Sequence, residues 1–132
     1  MTEADLVERA QAHYAAHGLR TAREIPVNGF FIDLSVESLN GDLWAIEAKL
    51  SNIPRLLFQA ARRKKATPVV YALVPASEDN ATTRKRASKI GVGLIVYDGA
   101  EFTEAIAPKR ATRVSAQYSR TYRERFNASQ PE

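Results

Sequence analysis

A chain of 132 residues, 45% hydrophobic and 26% charged, has the size and composition of one globular domain with a single core. It has no cysteine, which excludes disulfides, thiolate metal sites and cysteine nucleophiles, and no apolar run approaches the roughly 18 residues that span a membrane. The net charge of +4 and pI near 9.6 suit a polyanionic partner without demanding one, and with no basic-then-apolar leader pattern a cytoplasmic location is expected.

Residues Glu3 to His17 read as a helix capped by Thr2 and ended by Gly18, with Leu6, Val7, Ala10 and Tyr14 on its apolar face. A short strand is expected over Thr21 to Val27. Two strands follow, around Phe30-Phe31-Ile32-Asp33-Leu34-Ser35-Val36 and Leu43 to Leu50. Their even positions are apolar, which predicts one buried face with Asp33, Glu47 and Lys49 on the other. Pro54 marks the first turn of a second helix reaching Ala66. Val69 to Val74 is a buried strand. Asn80 or Thr82 caps a third helix ending near Gly91, Gly93 to Tyr97 is a strand, and Glu101 to Ala107 is a short edge strand. Arg113 to Phe126 is a weakly patterned helix, and the last residues are expected to fray. The expected architecture is an α/β domain, a mixed β-sheet flanked by helices in the order α-β-β-β-α-β-α-β. It covers residues 1–108, with a basic C-terminal tail over 109–132.

Parity constrains the turn at Asn40-Gly41. Opposed residues of an antiparallel pair point to the same face. A two-residue turn would set odd positions against even ones and separate Asp33 from Glu47. We therefore expect an odd-length loop or a bulge with Gly41 left-handed, and Asp33 across from Glu47 or Lys49.

Charges inside apolar strands are costly unless partnered. Two carboxylates and an ammonium suit a magnesium site for phosphodiester hydrolysis, which needs an activated water and relief of charge on the phosphoryl oxygens. Magnesium takes oxygen ligands and keeps several waters, so Asp33, Glu47 and the Ala48 carbonyl would suffice, with manganese a substitute. Lys49 would orient the water or stabilise developing charge.

Ile32-Asp33-Leu34 and Ile46-Glu47-Ala48-Lys49, each in a strand and flanked by helices, resemble the PD-(D/E)XK nuclease superfamily of restriction enzymes and archaeal Holliday-junction resolvases. The segments around Leu56 to Ala60, Arg62 to Lys64, Val69 to Pro75 and Gly91 to Leu94 resemble an uncharacterised branch of predicted phosphodiesterases. The likeness runs from Glu3 to Tyr97. It departs at Ile32, where the superfamily's proline would stand. It implies a restriction-endonuclease-like fold and a metal-dependent nuclease acting on DNA in preference to RNA, with Asp33 and Glu47 on the metal and Lys49 beside the water. It also implies a glutamine on the following helix, Gln59, and a glutamate on the first helix. Glu8 is chosen by its spacing to Gly18, and Glu3 competes on helical phase. A homodimer is expected by the same analogy.

Several residues have plainer readings. Arg62, Arg63, Lys64 and Lys65 bind nucleic-acid phosphates or simply favour a helix C-terminus. Arg84 to Lys89 reads as a solvated face, and His13 with His17 as surface histidines. Tyr118 and Tyr122 read as packing positions of a tail helix, on the domain or on a second subunit, with stacking on bases the alternative. The alternative for the whole chain is a catalytically silent module that binds nucleic acid or protein on the same fold.

Overall fold

The Thr2 hydroxyl accepts the Asp5 amide and the Asp5 carboxylate accepts the Thr2 amide, a reciprocal cap that starts α1 (Glu3–Ala16). The computed structural model describes residues 1–131, so Glu132 lies outside the described residues. After α1 come β1 (Thr21–Val27), β2 (Phe30–Glu37), β3 (Leu43–Ala48), α2 (Ile53–Arg62) prolonged by a 3-10 turn (Arg63–Lys65), and β4 (Val69–Pro75). A second 3-10 turn (Ala76–Glu78), α3 (Ala81–Ile90), β5 (Gly93–Tyr97), β6 (Phe102–Ile106) and α4 (Ala116–Ser129) complete the chain. Asn80, not Thr82, caps α3, its side chain accepting the Thr83 amide at 2.9 Å.

The strands form one six-stranded mixed sheet in sequence order. The β1–β2, β2–β3 and β5–β6 pairs are antiparallel, and β3, β4 and β5 run parallel through helical crossovers. Helix α1 covers one side, with Leu6, Val7 and Ala10 against Leu34, Val36, Ile46 and Leu73. Helices α2, α3 and α4 cover the other, with Leu56, Ala60, Ala87 and Phe126 against Ala45, Val70, Ala72 and Leu94. This revises the expectation of one buried face. Leu43 and Ala45, odd positions of β3, are as buried as Trp44's neighbour Ile46, because both sides carry helices.

The β2–β3 connection has the odd length that parity requires. Glu37 pairs with Leu43, the Ser38 amide donates to the Asp42 carbonyl, and Leu39, Asn40 and Gly41 span the gap. Gly41 sits at φ +89°, the left-handed residue such a loop needs. The register thereby matches odd with odd, Ser35 with Ala45, one step from Asp33 and Glu47.

A second irregularity lies at Asp33 itself. Phe30 and Ile32 pack with the α2–α4 core, whereas Leu34 and Val36 pack under α1, so the alternation of β2 breaks between them. On β1 it breaks opposite, at Glu24, a non-glycine residue at φ +55°. Glu24 and Asp33 form no registered pair, although the register is the same on both sides of them. Ile32 and Leu34, read as one face, thus lie on opposite sides of the sheet.

Residues read as a basic tail fold back onto the sheet as α4. Tyr122 and Phe126 are fully buried, and the Tyr122 hydroxyl donates to Ser35 Oγ at 2.6 Å. Tyr122 is therefore closed to base stacking. Gln130 donates to the Thr21 carbonyl at 3.0 Å and fastens the end of the helix to β1. No described helix is long and apolar enough to cross a membrane.

Candidate active site

The break in β2 opens the strand ladder, and two carboxylates fill it. The Asp33 amide donates to Glu47 Oε2 at 3.0 Å, and the Ala48 amide donates to Asp33 Oδ2 at 2.9 Å. Each acid thus satisfies a backbone N–H on the opposite strand or beside its partner. Glu47 is 3% exposed. Burial, and then the charge of Asp33, push its pKa up to about 7, outweighing the favourable effect of Arg63. Burial also raises Asp33, against the Ala48 amide, Arg63 and Lys49, which favour its ionised form.

Arg63 is the residue that sequence reasoning misplaced. Its Nε and Nη2 lie 3.1 and 3.0 Å from Glu47 Oε1, its side chain is 11% exposed, and its guanidinium stacks 4.3 Å from the Phe30 ring centroid. The sequence grouped it with three neighbouring cations as a phosphate contact. The structure turns it inward as the counter-ion of a buried acid. Arg62 and Lys65 stay exposed, Arg62 with its guanidinium 5.8 Å from the Phe58 ring. Lys64 donates to the Ile90 carbonyl at the end of α3. Gln59 is half-buried one helical turn before Arg63, on the same side of α2.

On the other side of Asp33 a cleft of about 320 Å³ is lined by Glu3, Val7, Arg23, Glu24 and Ala48. Of the two helix-1 carboxylates, Glu3 is the one that borders this cleft, its Oε1 lying 3.7 Å from Lys49 Nζ. Glu8 is exposed on the solvent face of α1. Glu3, Val7, Ala10 and Tyr14 share one helical stripe, so phase decides over spacing. Lys49 reaches Glu3 rather than Glu47. It follows the end of β3, where its amide bonds the Leu73 carbonyl. Arg23 and Glu24 carry no motif, and only the left-handed backbone at Glu24 singles them out.

Among the described residues no three His, Asp or Glu side chains converge as a ready metal cage. Two carboxylates and a backbone carbonyl nonetheless fit a hard dication that keeps most of its waters. Burial first, and the Asp33 charge second, raise the pKa of Glu47 against the pull of Arg63. The His13 and His17 rings pack at a tilt, centroids 4.6 Å apart, and His13 also meets Phe102 at 5.0 Å, as aromatic packing.

No family model matches the chain, and no curated protein matches it. Among solved structures it is similar to a protein of unknown function from Silicibacter pomeroyi, with a TM-score of 0.70 and 16% identity over 97% of this chain and 86% of that one. Such a likeness shows a common fold. The SfsA protein of Pyrococcus furiosus, solved in complex with Ca2+, overlaps with a TM-score of 0.41 at 14% identity. That overlap covers 83% of this chain and 60% of SfsA.

Proposed function

We propose that the chain is a metal-dependent phosphodiesterase of the restriction-endonuclease-like, PD-(D/E)XK type, hydrolysing nucleic acid with DNA preferred to RNA. The observation that carries the reading is the interlocked pair of half-buried Asp33 and buried Glu47, oxygen-rich and anchored through each other's backbone neighbours. The sheet supports it. Helix α1 precedes the antiparallel β1–β3 unit, and α2 crosses to the parallel β4, the order the motif strands imply.

In this reading Asp33 and Glu47 hold the magnesium, and the Ala48 carbonyl adds an oxygen. In an extended strand that carbonyl shares the side of the Ala48 amide, which already faces Asp33. When bound, the metal activates water and withdraws charge from the phosphoryl oxygens. Lys49 orients that water, held by Glu3 at the mouth of the cleft. Gln59 lies along the approach from α2. Arg62 and Lys65, both exposed, contact backbone phosphates. Arg63 holds Glu47 in place while the metal is absent.

One observation favours a second reading, a silent binding module. Arg63 already pairs with Glu47, as in a structural buried ion pair. A cleavage assay with magnesium and manganese on duplex, single-stranded and branched DNA and on RNA separates the two. Cleavage by wild type that is lost in Lys49→Ala with metal binding kept supports the enzyme. No cleavage of any substrate, with nucleic acid still bound, supports the module.

A further inference from the structure

The charges of this chain are segregated by element. α2, its 3-10 extension and α3 hold nine of the 19 Lys and Arg residues and none of the 15 Asp and Glu. Everything else is left with ten cations against those 15 anions. Arg63 and Arg84 of the basic elements are paired, with Glu47 and Asp79. Arg55, Arg62, Lys65, Lys85, Arg86 and Lys89 have no acidic partner among the described residues.

An apolar groove of about 290 Å³ runs between α2 and α3. Leu57, Phe58 and Ala61 line one wall, Arg86, Lys89 and Ile90 the other. Phe58 is 64% exposed, a large aromatic left in water. Arg62 stacks on its ring. The groove is held in shape by Lys64, whose ammonium donates to the Ile90 carbonyl. It lies across the sheet from the α1 cleft.

We propose that the α2–α3 face is a platform for single-stranded nucleic acid, Phe58 stacking on a base while Arg62, Arg86 and Lys89 hold the flanking phosphates. An exposed aromatic among cations is the chemistry of strand-binding grooves, since every base offers a π-face. A duplex keeps its bases stacked and leaves Phe58 idle. A second copy laid face to face would set like charges together. The platform does not depend on catalysis and stands whether or not the Asp33 site cuts.

Fluorescence anisotropy with a labelled mixed-sequence DNA oligonucleotide in EDTA tests it, since no cleavage intervenes. Wild type binds the single strand more tightly than the duplex of the same sequence. Phe58→Ala weakens oligonucleotide binding by about fivefold or more, the smallest effect expected of one lost base stack. It leaves heparin, a polyanion without bases, unchanged. Arg86→Gln with Lys89→Gln weakens both ligands and lowers the salt slope by about 1.4, the value for two lost phosphate contacts on a single strand. Oligonucleotide affinity unaltered in Phe58→Ala overturns the proposal, as does an unaltered salt slope in the double variant. A wild-type dimer that Phe58→Ala converts to monomer overturns it too, by assigning the face to a second copy. Cleavage lost with this binding intact separates a failed catalytic reading from a failed platform.

Discussion

Glu47 ties the stability of the fold to pH through one proton. Its pKa in the folded chain, about 7, exceeds the ordinary 4.5, so the folded state keeps a proton that the unfolded chain releases. Stability from this group is full below about 4.5, falls as the pH climbs to about 7, and is flat beyond. Asp33 is raised and acts in the same sense. Glu37, Asp42 and Asp79 are held low by arginines and act in the opposite sense, at more acid pH. Urea denaturation should therefore show stability declining from pH 5 to 8 in wild type and a flatter profile in Glu47→Gln; identical profiles would remove the titration from Glu47. Arg63 supplies a second residue-scale outcome. Arg63→Met leaves a buried carboxylate unpaired and should destabilise by about 3 kcal/mol at pH 8. At pH 6 Glu47 takes up a proton instead, and the loss should shrink by at least about 1 kcal/mol. A loss independent of pH would mean that Arg63 acts through its packing on Phe30 alone.

At the scale of elements, the β2–β3 loop and α4 mark what the sequence disclosed and what it hid. Parity in Leu34 to Val36 and Trp44 to Ala48 demanded an odd loop, and Leu39-Asn40-Gly41 provides one. Gly41→Val should cost about 1–2 kcal/mol from its left-handed backbone alone, since a side chain there meets no neighbour. The loop was legible because period-2 patterns carry register. Arg63 was not, since its partner lies 16 residues away and its inward turn depends on how α2 ends over Phe30. The break at Glu24 and Asp33 was equally hidden, because a face switch leaves both flanks apolar. α4 shows two buried side chains, Tyr122 and Phe126, against many polar ones, which reads as a tail. Phe126→Ala should cost about 3–5 kcal/mol, a core-sized loss. Tyr122→Phe, which strands the buried Ser35 hydroxyl, should cost about 1–3 kcal/mol. Losses near zero in thermal unfolding would make α4 an appendage.

For the whole molecule, the mixed sheet sets two different surfaces on its two sides. The α1 side carries the cleft of Glu3, Glu24 and Asp33. The α2–α3 side carries nine cations and an exposed aromatic. Between them lies the gap where β2 parts from its neighbours, with Glu47 and Arg63 plugging it. Under the proposed function, opposed charge on one small domain would let a polyanion be held on one surface while its cleavable bond meets a cation at the other. That account depends first on a dication at Asp33 and Glu47. Isothermal titration of magnesium and of manganese into wild type and Asp33→Asn at pH 8, with circular dichroism to confirm that both are folded, tests it most directly. The account predicts one site in wild type, weakened at pH 6 as Glu47 takes a proton, and no detectable binding in folded Asp33→Asn. Wild type that binds neither metal, or Asp33→Asn that binds them as wild type does, would contradict it.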